Sequence, residues 1–401
     1  VSHFNGFIMY NPAAMSSRPV PVDVIIPVYR NLSATRRCIQ SVMRSQLGPL
    51  GKIIVIDDAA PEPEVREFCQ SLAAQPGFVV MHNTENIGFV ATVNRGIAAS
   101  TGSDIVLLNS DTEVANDWLQ RMQIRACSEE NIGTVTPLSN NASVCSYPVP
   151  MKANPLPEGW TLGELDALAS EANGGTTLEL PTAVGFCMYI RRACIDAIGV
   201  FDVENFGIGY GEECDFSMRA RAAGWRNVLS PDVFVYHEGG QSFSGQTEAR
   251  IREAEATLHR LHPEYHVLAT RFIDQDPVRP FRDALDSARL GARQADAPAI
   301  ISALRTHRDA VIDSSSNREM ALEHALGELR VRCEELTRDC DELASNLKIR
   351  EDRLAELDEA YEVTSRELTR LQEREHRWQY VMYIINRMDE LRFRVAGKKA
   401  R

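Results

Sequence analysis

Short apolar runs alternate with longer helical stretches between residues 21 and 108, and this alternation limits the fold more than any other feature. Four runs rich in Val, Ile and Leu predict strands, at 22–27, 52–56, 78–82 and 104–108. Three stretches with helical spacing lie between them, at 33–45, 63–74 and 88–100. Strands that alternate with helices of this length form βαβ units. The chain is therefore expected to have an α/β fold, a mixed but mainly parallel sheet flanked by helices.

Polar residues follow the predicted strands at their carboxyl ends, where ligands of such sheets bind. Asp111 ends the fourth run, and a carboxylate there can hold a hard divalent cation. It can equally cap a helix that starts near Val114. Asp58 ends the second run and suits either a hydrogen bond to a nucleobase or ribose, or a turn before Pro61. Tyr29 suits either contact with a nucleoside or ordinary packing.

A second group of acids, Glu212, Glu213 and Asp215, begins a predicted helix that Gly224 ends. Acids in a first turn complement the helix dipole, which is the simpler interpretation. Paired carboxylates in a cleft can instead provide a general base, because their pKa values are pushed apart. Asp215 also has the helical spacing to pair with Arg219.

His237 closes a further apolar run that starts at Asp232. A lone histidine is more often structural or solvated than functional. At the end of a strand and before Gly239, however, its imidazole is placed to complete a metal site with Asp111.

Composition and missing motifs exclude several classes of function. With 56 Asp+Glu against 43 Lys+Arg the chain is acidic, which argues against a nucleic-acid partner. No P-loop, GxGxxG, HExxH or GxSxG pattern occurs. No apolar window reaches the roughly 18–20 residues of a spanning helix, and residues 1–20 lack the pattern of a signal peptide. The nine cysteines form no CxxC pair, which indicates reduced thiols and a cytoplasmic location.

The order of these motifs resembles family 2 glycosyltransferases, which have the GT-A fold. The early motifs are Val24-Ile-Ile-Pro-Val-Tyr29, Val55-Ile-Asp-Asp58, Asn86-Ile-Gly-Phe89, Asn94-Arg-Gly96 and Leu107-Leu-Asn-Ser-Asp111. The later ones are Gly185-Phe-Cys-Met-Tyr-Ile-Arg-Arg192, Ile198-Gly-Val-Phe-Asp202 and the segment 212–215. Each motif is weak, but their joint order over residues 22–240 is specific.

The resemblance implies a role for each matching residue. Asp111 corresponds to the last acid of the family's DxD-type motif, which binds Mn²⁺ or Mg²⁺ on the donor diphosphate. Asn109 and Ser110 replace the earlier acid of that motif, so a ligand from His237 gains importance. Pro27, Tyr29, Asp58 and Ser110 correspond to donor-binding positions. Glu213 corresponds to the general base, with Glu212 as the runner-up and Asp215 as a supporting acid.

The function that the resemblance implies is inverting, metal-dependent transfer of a sugar from a UDP-, GDP- or dTDP-sugar to a glycan hydroxyl. Bacterial surface-polysaccharide enzymes, including rhamnosyltransferases, show a similar pattern, so the acceptor is expected to be a growing O-antigen-like or capsule-like glycan, with or without a lipid link. Residues 139–181, rich in Pro, Asn and Gly, are expected to form acceptor-side loops. Two alternatives are a scaffold or chain-length spacer with a degenerate transferase domain, and a nucleotidyltransferase. The latter has no supporting phosphate loop.

The chain beyond the transferase-like part is predicted to be helical. The expected organisation is a tail at 1–20, a GT-A domain at 21–243, a helical extension at 244–317 with breaks at Pro263, Pro277, Pro280 and Pro298, and a coiled coil from 318 to 401. Apolar residues recur every three or four positions over 322–385, and Arg350 is one interruption of the pattern. This heptad pattern predicts a homo-oligomeric coiled coil of about 95 Å, with Cys333 and Cys340 at core positions.

The last residues combine aromatic and basic side chains, among them Trp378, Tyr383, Arg387 and Lys398. They predict an interfacial helix that binds anionic lipid at the inner face of the plasma membrane, a continuation of the coiled coil with a frayed basic tail, or a segment that docks to a protein partner.

Overall fold

A computed structural model of the chain describes residues 20–46, 48–207, 209–239 and 247–372. Within these residues the strands form one sheet. The strands are β1 (Val22–Val28), β2 (Leu50–Asp57), β3 (Phe78–His82), β4 (Asp104–Leu108), β5 (Thr112–Glu113), β6 (Ile132–Ser139), β7 (Leu178–Leu180), β8 (Cys187–Ile190) and β9 (Arg226–His237). The predicted strands at 78–82 and 104–108 are confirmed at both ends, and the other two are longer by one to three residues.

The sheet is mixed and mainly parallel in its first half, as predicted. Its order is β3-β2-β1-β4-β8-β6-β9-β5, with β7 paired to β9. The first four strands of this order are mutually parallel, and β6 is parallel to β9. The pairs β4–β8, β6–β8, β5–β9 and β7–β9 are antiparallel. The carboxyl ends of β1, β2 and β4 therefore meet at one edge.

Helices flank the sheet in the order that the alternation predicts. They are α1 (Leu32–Arg44), α2 (Pro63–Leu72), α3 (Phe89–Ala99), α4 (Trp118–Ala126), α5 (Leu162–Asn173), α6 (Arg192–Ile198), α7 (Val203–Phe206), α8 (Glu212–Ala222), α9 (Thr247–Leu261), α10 (Tyr265–Gln275), α11 (Arg279–Ala292) and α12 (Ala297–Gln372). Pro263 and Pro277 separate consecutive helices. Pro280 and Pro298 instead lie in the first turns of α11 and α12. The backbone N–H that proline lacks has no partner within the helix at these positions.

Alternating residues of the strands supply apolar cores on both faces of the sheet. In β1, Val24 and Ile26 face one core while Ile25 faces the other, and all three are fully buried. This two-sided burial explains why the parallel strands are nearly continuous apolar runs. Packed helices on both faces hold the strand ends, and the polar residues that follow them, in fixed positions.

Two local predictions are wrong. No helix starts near Val114, because Thr112–Glu113 forms β5 and α4 begins at Trp118. The segment 139–181 is also more ordered than the expected loops. It contains α5, which Thr161 and Glu164 begin with a reciprocal capping box.

The chain divides into two compact units, Val1–Ala310 and Val311–Arg401. In the first unit, the residues that follow β9 pack on the transferase-like part, as the hydrogen bond from Tyr147 Oη to Asp286 Oδ1 at 2.6 Å shows. In the second unit, the described residues are the helical stretch 311–372. The predicted aromatic and basic tail lies outside the described residues. None of the helices in the part that the structure describes has the length and apolar character of a membrane span.

Candidate active site

A cavity of about 890 Å³ opens at the edge of the sheet where the parallel strands end. It collects eight of the nine residues singled out by sequence: Pro27, Tyr29, Asp58, Ser110, Asp111, Glu212, Glu213 and His237. They come from β1, β2, the turn after β4, the start of α8 and the end of β9. Asp215 is not among the lining residues. None of residues 139–181 lines the cavity; the lining around Glu213 comes instead from 184–186, Gly207, Gly209 and Tyr210.

Asp111 and His237 face each other because β5 pairs with the end of β9. Thr112 is opposite His237 in this antiparallel pair. The backbone N–H of Gly239 donates to Asp111 Oδ2 at 3.1 Å, and that of Glu238 donates to the Asp111 carbonyl at 3.0 Å. Asp111 Oδ1 lies 3.5 Å from His237 Nε2. The N-cap interpretation of Asp111 is therefore wrong, since its carboxylate points to β9 and not to a helix.

The ring of His237 is fixed on two sides. Its Nδ1 lies 2.7 Å from the Asn141 carbonyl oxygen, which makes Nδ1 the protonated nitrogen and leaves Nε2 facing Asp111. Phe186 stacks on the ring with centroids 5.3 Å apart. Sequence reasoning missed Asn141 and Phe186 as partners of His237, because neither spacing nor residue type indicates a contact across more than 50 residues.

The charges of this pair support each other. Burial alone would raise the pKa of Asp111, but the hydrogen bond and charge of His237 hold it below its ordinary value. Burial alone would likewise lower the pKa of His237, and Asp111 raises it. Arg37 stands beside the pair: its Nε donates to Glu113 at 2.8 Å and its other arm to Glu238. Arg37 thus ties α1 to both strands that carry the pair.

Asp111 and His237 fit a divalent cation as two of its ligands. A carboxylate oxygen and an imidazole with its second nitrogen bound to a carbonyl are the donors that Mn²⁺ accepts. Residues 20–372, in their described parts, hold no group of three His, Cys, Asp or Glu side chains able to bind a metal ion. The remaining ligands would have to come from the substrate and water.

Glu212 and Glu213 begin α8, and both line the cavity. Gly211 precedes them at φ 88°, a conformation that glycine adopts without strain. The Oε2 atoms of both glutamates are buried and without a partner in the described residues. Burial raises the pKa of both carboxyls, and the charge of Glu213 raises that of Glu212 further. The pKa of Glu212 is therefore raised further than that of Glu213, which makes Glu213 the better candidate for an ionised carboxylate.

Asp215 lies behind this pair, one turn into the helix, and is buried. Its carboxylate accepts from Arg219 Nε at 2.8 Å, which confirms the predicted pairing at helical spacing. Its second oxygen lies 2.8 Å from His262 Nε2, at the end of α9. Asp215 therefore anchors the helix that presents Glu213, and the contact with His262 had no signal in the sequence.

Asp58 holds the loop that follows β3. One of its oxygens accepts from Asn83 Nδ2 at 2.6 Å and from the Ile87 N–H at 3.0 Å, and the other accepts from the Gly88 N–H at 3.2 Å. This buried carboxylate thus shapes the loop 83–88, which itself lines the cavity. Tyr29 lies across the opening, with Arg30 over its ring at 5.1 Å.

The sheet order and the position of the β5–β9 pair beside the parallel strand ends define a GT-A fold. Residues 23–199 match the family model "Glycosyl transferase family 2". For this segment the match confirms the resemblance seen in the motifs.

The sequence alignments with related proteins cover about half of this chain. Human polypeptide N-acetylgalactosaminyltransferase 14 is 26% identical over 227 residues, 54% of this chain and 40% of the relative. The pre-mycofactocin glycosyltransferase of Mycobacterium tuberculosis is 28% identical over 228 residues, 57% of this chain and 44% of the relative. The chain thus spans less than half the length of these relatives. A mannosyltransferase from Pyrobaculum calidifontis, solved with GDP-Man and Mn²⁺, is similar with a TM-score of 0.46 and 16% identity, covering 74% of this chain and 81% of that one.

Proposed function

We propose that the chain transfers a sugar from a nucleotide-sugar donor to an acceptor hydroxyl, with inversion at the anomeric carbon. The observation that carries the proposal is one cavity that joins the Asp111–His237 pair with Glu212 and Glu213, each of which buries one carboxyl oxygen without a partner in the described residues. The match of residues 23–199 to the glycosyl transferase family 2 model supports the reaction class. Neither feature alone is enough, because a metal-binding pair without a base would only hold a diphosphate.

Donor binding is assigned to the strand ends. Asp111 and His237 would hold Mn²⁺ or Mg²⁺, which neutralises charge on the diphosphate of the leaving nucleotide. Tyr29 and Pro27 lie where a nucleoside would enter, and Asp58 maintains the loop beside them. Ser110 adds a hydroxyl next to Asp111. The donor candidates are UDP-, GDP- and dTDP-sugars, and the relative named as an N-acetylgalactosaminyltransferase adds N-acetylgalactosamine to the sugars worth testing.

Proton transfer is assigned to Glu213. Its carboxylate accepts the proton of the acceptor hydroxyl while that oxygen bonds to the anomeric carbon. The bond from the anomeric carbon to the diphosphate oxygen breaks on the opposite face, and the nucleoside diphosphate leaves. Glu212, whose pKa is raised further than that of Glu213, is the runner-up for this role. We assign the acceptor to a glycan of the cell surface, and hexosyl and rhamnosyl donors are both candidates.

A donor screen tests this proposal. The full chain is incubated with UDP-, GDP- and dTDP-sugars and Mn²⁺, and release of nucleoside diphosphate is measured with and without EDTA. We expect metal-dependent release from one donor class. Asp111→Asn should reduce metal affinity by at least the 10–100-fold that is typical for loss of an outer partner of a metal ligand. Asp196→Asn, an exposed acid of α6, is the matched control. Failure to turn over any donor, by a folded chain, would contradict the proposal and favour the scaffold alternative.

A further inference from the structure

The second unit carries an uncovered apolar stripe along its helix. Between Cys333 and Tyr361, four of the five leucines at heptad core positions are largely exposed, Leu336 by 52%, Leu343 by 68%, Leu347 by 54% and Leu357 by 55%, and Leu354 is partly buried. Soluble chains seldom leave such a continuous stripe in water, since burial of each leucine side chain is favourable. The stripe therefore requires a cover.

We propose that the cover is the same helix of a second copy of this chain, aligned parallel and in register. The stripe follows a 3-4 spacing from Cys333 to Tyr361, so that two copies can interlock as a two-stranded coiled coil. Leucine at most d positions, such as Leu336 and Leu343, is typical of such parallel pairs. The pairing does not depend on the activity proposed above.

Arg350 selects the alignment. Between Cys333 and Tyr361 it is the one charged residue at a core position. In a parallel, in-register pair the two copies of Arg350 meet in a single layer, beside Glu351 of each chain. In an antiparallel or shifted pair each Arg350 would instead face an apolar residue or a cysteine, which creates two unfavourable layers. One polar core position is known to fix register in this way, at some cost in stability.

Charges beside the stripe agree with this alignment. Arg353 occupies a g position and Asp358 the following e position, five residues later. Across a parallel, in-register pair, g and the next e of the other chain are neighbours, so that Arg353 faces Asp358 of the second copy twice. Such surface pairs contribute little to affinity, but they discriminate between alignments.

The cysteines supply a direct readout of this geometry. Cys333 and Cys340 both lie at a positions and are exposed in the single chain. In a parallel, in-register pair each faces its own copy across the axis, within reach of a cross-link. Cys127 is the third exposed cysteine, while the other six are buried or partly buried. Cys127→Ser therefore leaves these two as the reactive thiols.

The test is thiol cross-linking of the full chain carrying Cys127→Ser, with a short bismaleimide, followed by denaturing electrophoresis. We expect a covalent dimer that forms with Cys333→Ala or Cys340→Ala alone and disappears when both are replaced. Leu343→Asp should lower the cross-linked fraction at least about tenfold, because it places a carboxylate in the apolar seam. Ile349→Asp is the matched control: Ile349 is equally exposed, at 61%, but lies off the stripe and should not change the yield.

Two outcomes would overturn the inference. A chain that sediments as a monomer at micromolar concentration has no second copy on the stripe. A chain that sediments as a dimer or larger oligomer but gives no cross-link at either cysteine has another alignment.

Discussion

The two units break the usual rule of burial in opposite ways. At the start of α8 the first unit buries one carboxyl oxygen each of Glu212 and Glu213 without a partner in the described residues. Along α12 the second unit leaves leucines such as Leu343 in water. Both arrangements cost free energy in the isolated chain. The comparison teaches that an unsatisfied group points to its ligand: a hydroxyl proton for the carboxylate, and an apolar surface for the leucines.

The largest expected difference between the two units is in the loss of stability when one apolar side chain is shortened. Phe234, fully buried in β9, packs edge-on against Tyr147 with ring centroids 6.1 Å apart. Phe234→Ala is expected to lower the free energy of unfolding by about 3–5 kcal/mol, since it leaves a cavity. Leu343→Ala should change the unfolding of the first unit by less than about 0.5 kcal/mol. Urea unfolding followed by tryptophan fluorescence compares them, and equal effects would show that the units do not differ in packing.

Replacement of a glycine by alanine should change the free energy of unfolding in opposite directions in the two units. A Cβ on Gly96 of α3 would lie 2.6 Å from Ile25 Cγ2 and 2.8 Å from Ile56 Cδ1, so Gly96→Ala should destabilise the first unit by about 1–3 kcal/mol. A Cβ on Gly327 of α12 meets nothing within 4 Å. Gly327→Ala should therefore stabilise the helix by up to about 1 kcal/mol. Thermal unfolding monitored by circular dichroism measures both, and a stabilising Gly96→Ala would contradict the packing described for α3.

The pH dependence of turnover should reflect the buried carboxyl of Glu213. Because burial raises its pKa, the base is ionised above that raised pKa and is lost as the pH falls through it. Below that point kcat/KM should fall by about tenfold per pH unit. Initial rates between pH 5 and 8 test this. Self-association of the chain through α12, measured over the same pH range, is the comparison, because Glu213 does not govern it. A profile that stays flat down to pH 5 would argue against a buried base.

Local signals predicted the frame of the first unit well. The apolar runs predicted the bounds of β3 and β4. Asp58 and Asp111, which follow β2 and β4, line one cavity because parallel strands end at one edge of the sheet. The capping box at Thr161 and Glu164 is also recognisable in the sequence. The proline-rich composition of residues 139–181, however, favoured loops over the helix α5. That helix was therefore within reach of sequence reasoning.

Contacts between distant residues were not predictable. Asp111 suits a helix cap as well as a strand end, and only its pairing with β9, over 120 residues later, decides between them. The Asn141 carbonyl orients His237, and the His262 imidazole anchors Asp215. These two contacts also join residues that are far apart in the sequence. Tertiary packing determines these contacts, and no periodicity reports them.

The most direct test of the account is the turnover of Glu213→Gln, measured with the donor that the screen identifies. The amide keeps the size of the side chain but cannot accept the hydroxyl proton. We predict that kcat falls by about 10²–10⁴-fold while donor affinity, measured by calorimetry, stays within about twofold. Glu204→Gln, an exposed acid of α7, should leave both unchanged. Full turnover by a folded Glu213→Gln chain would contradict the assignment of the base.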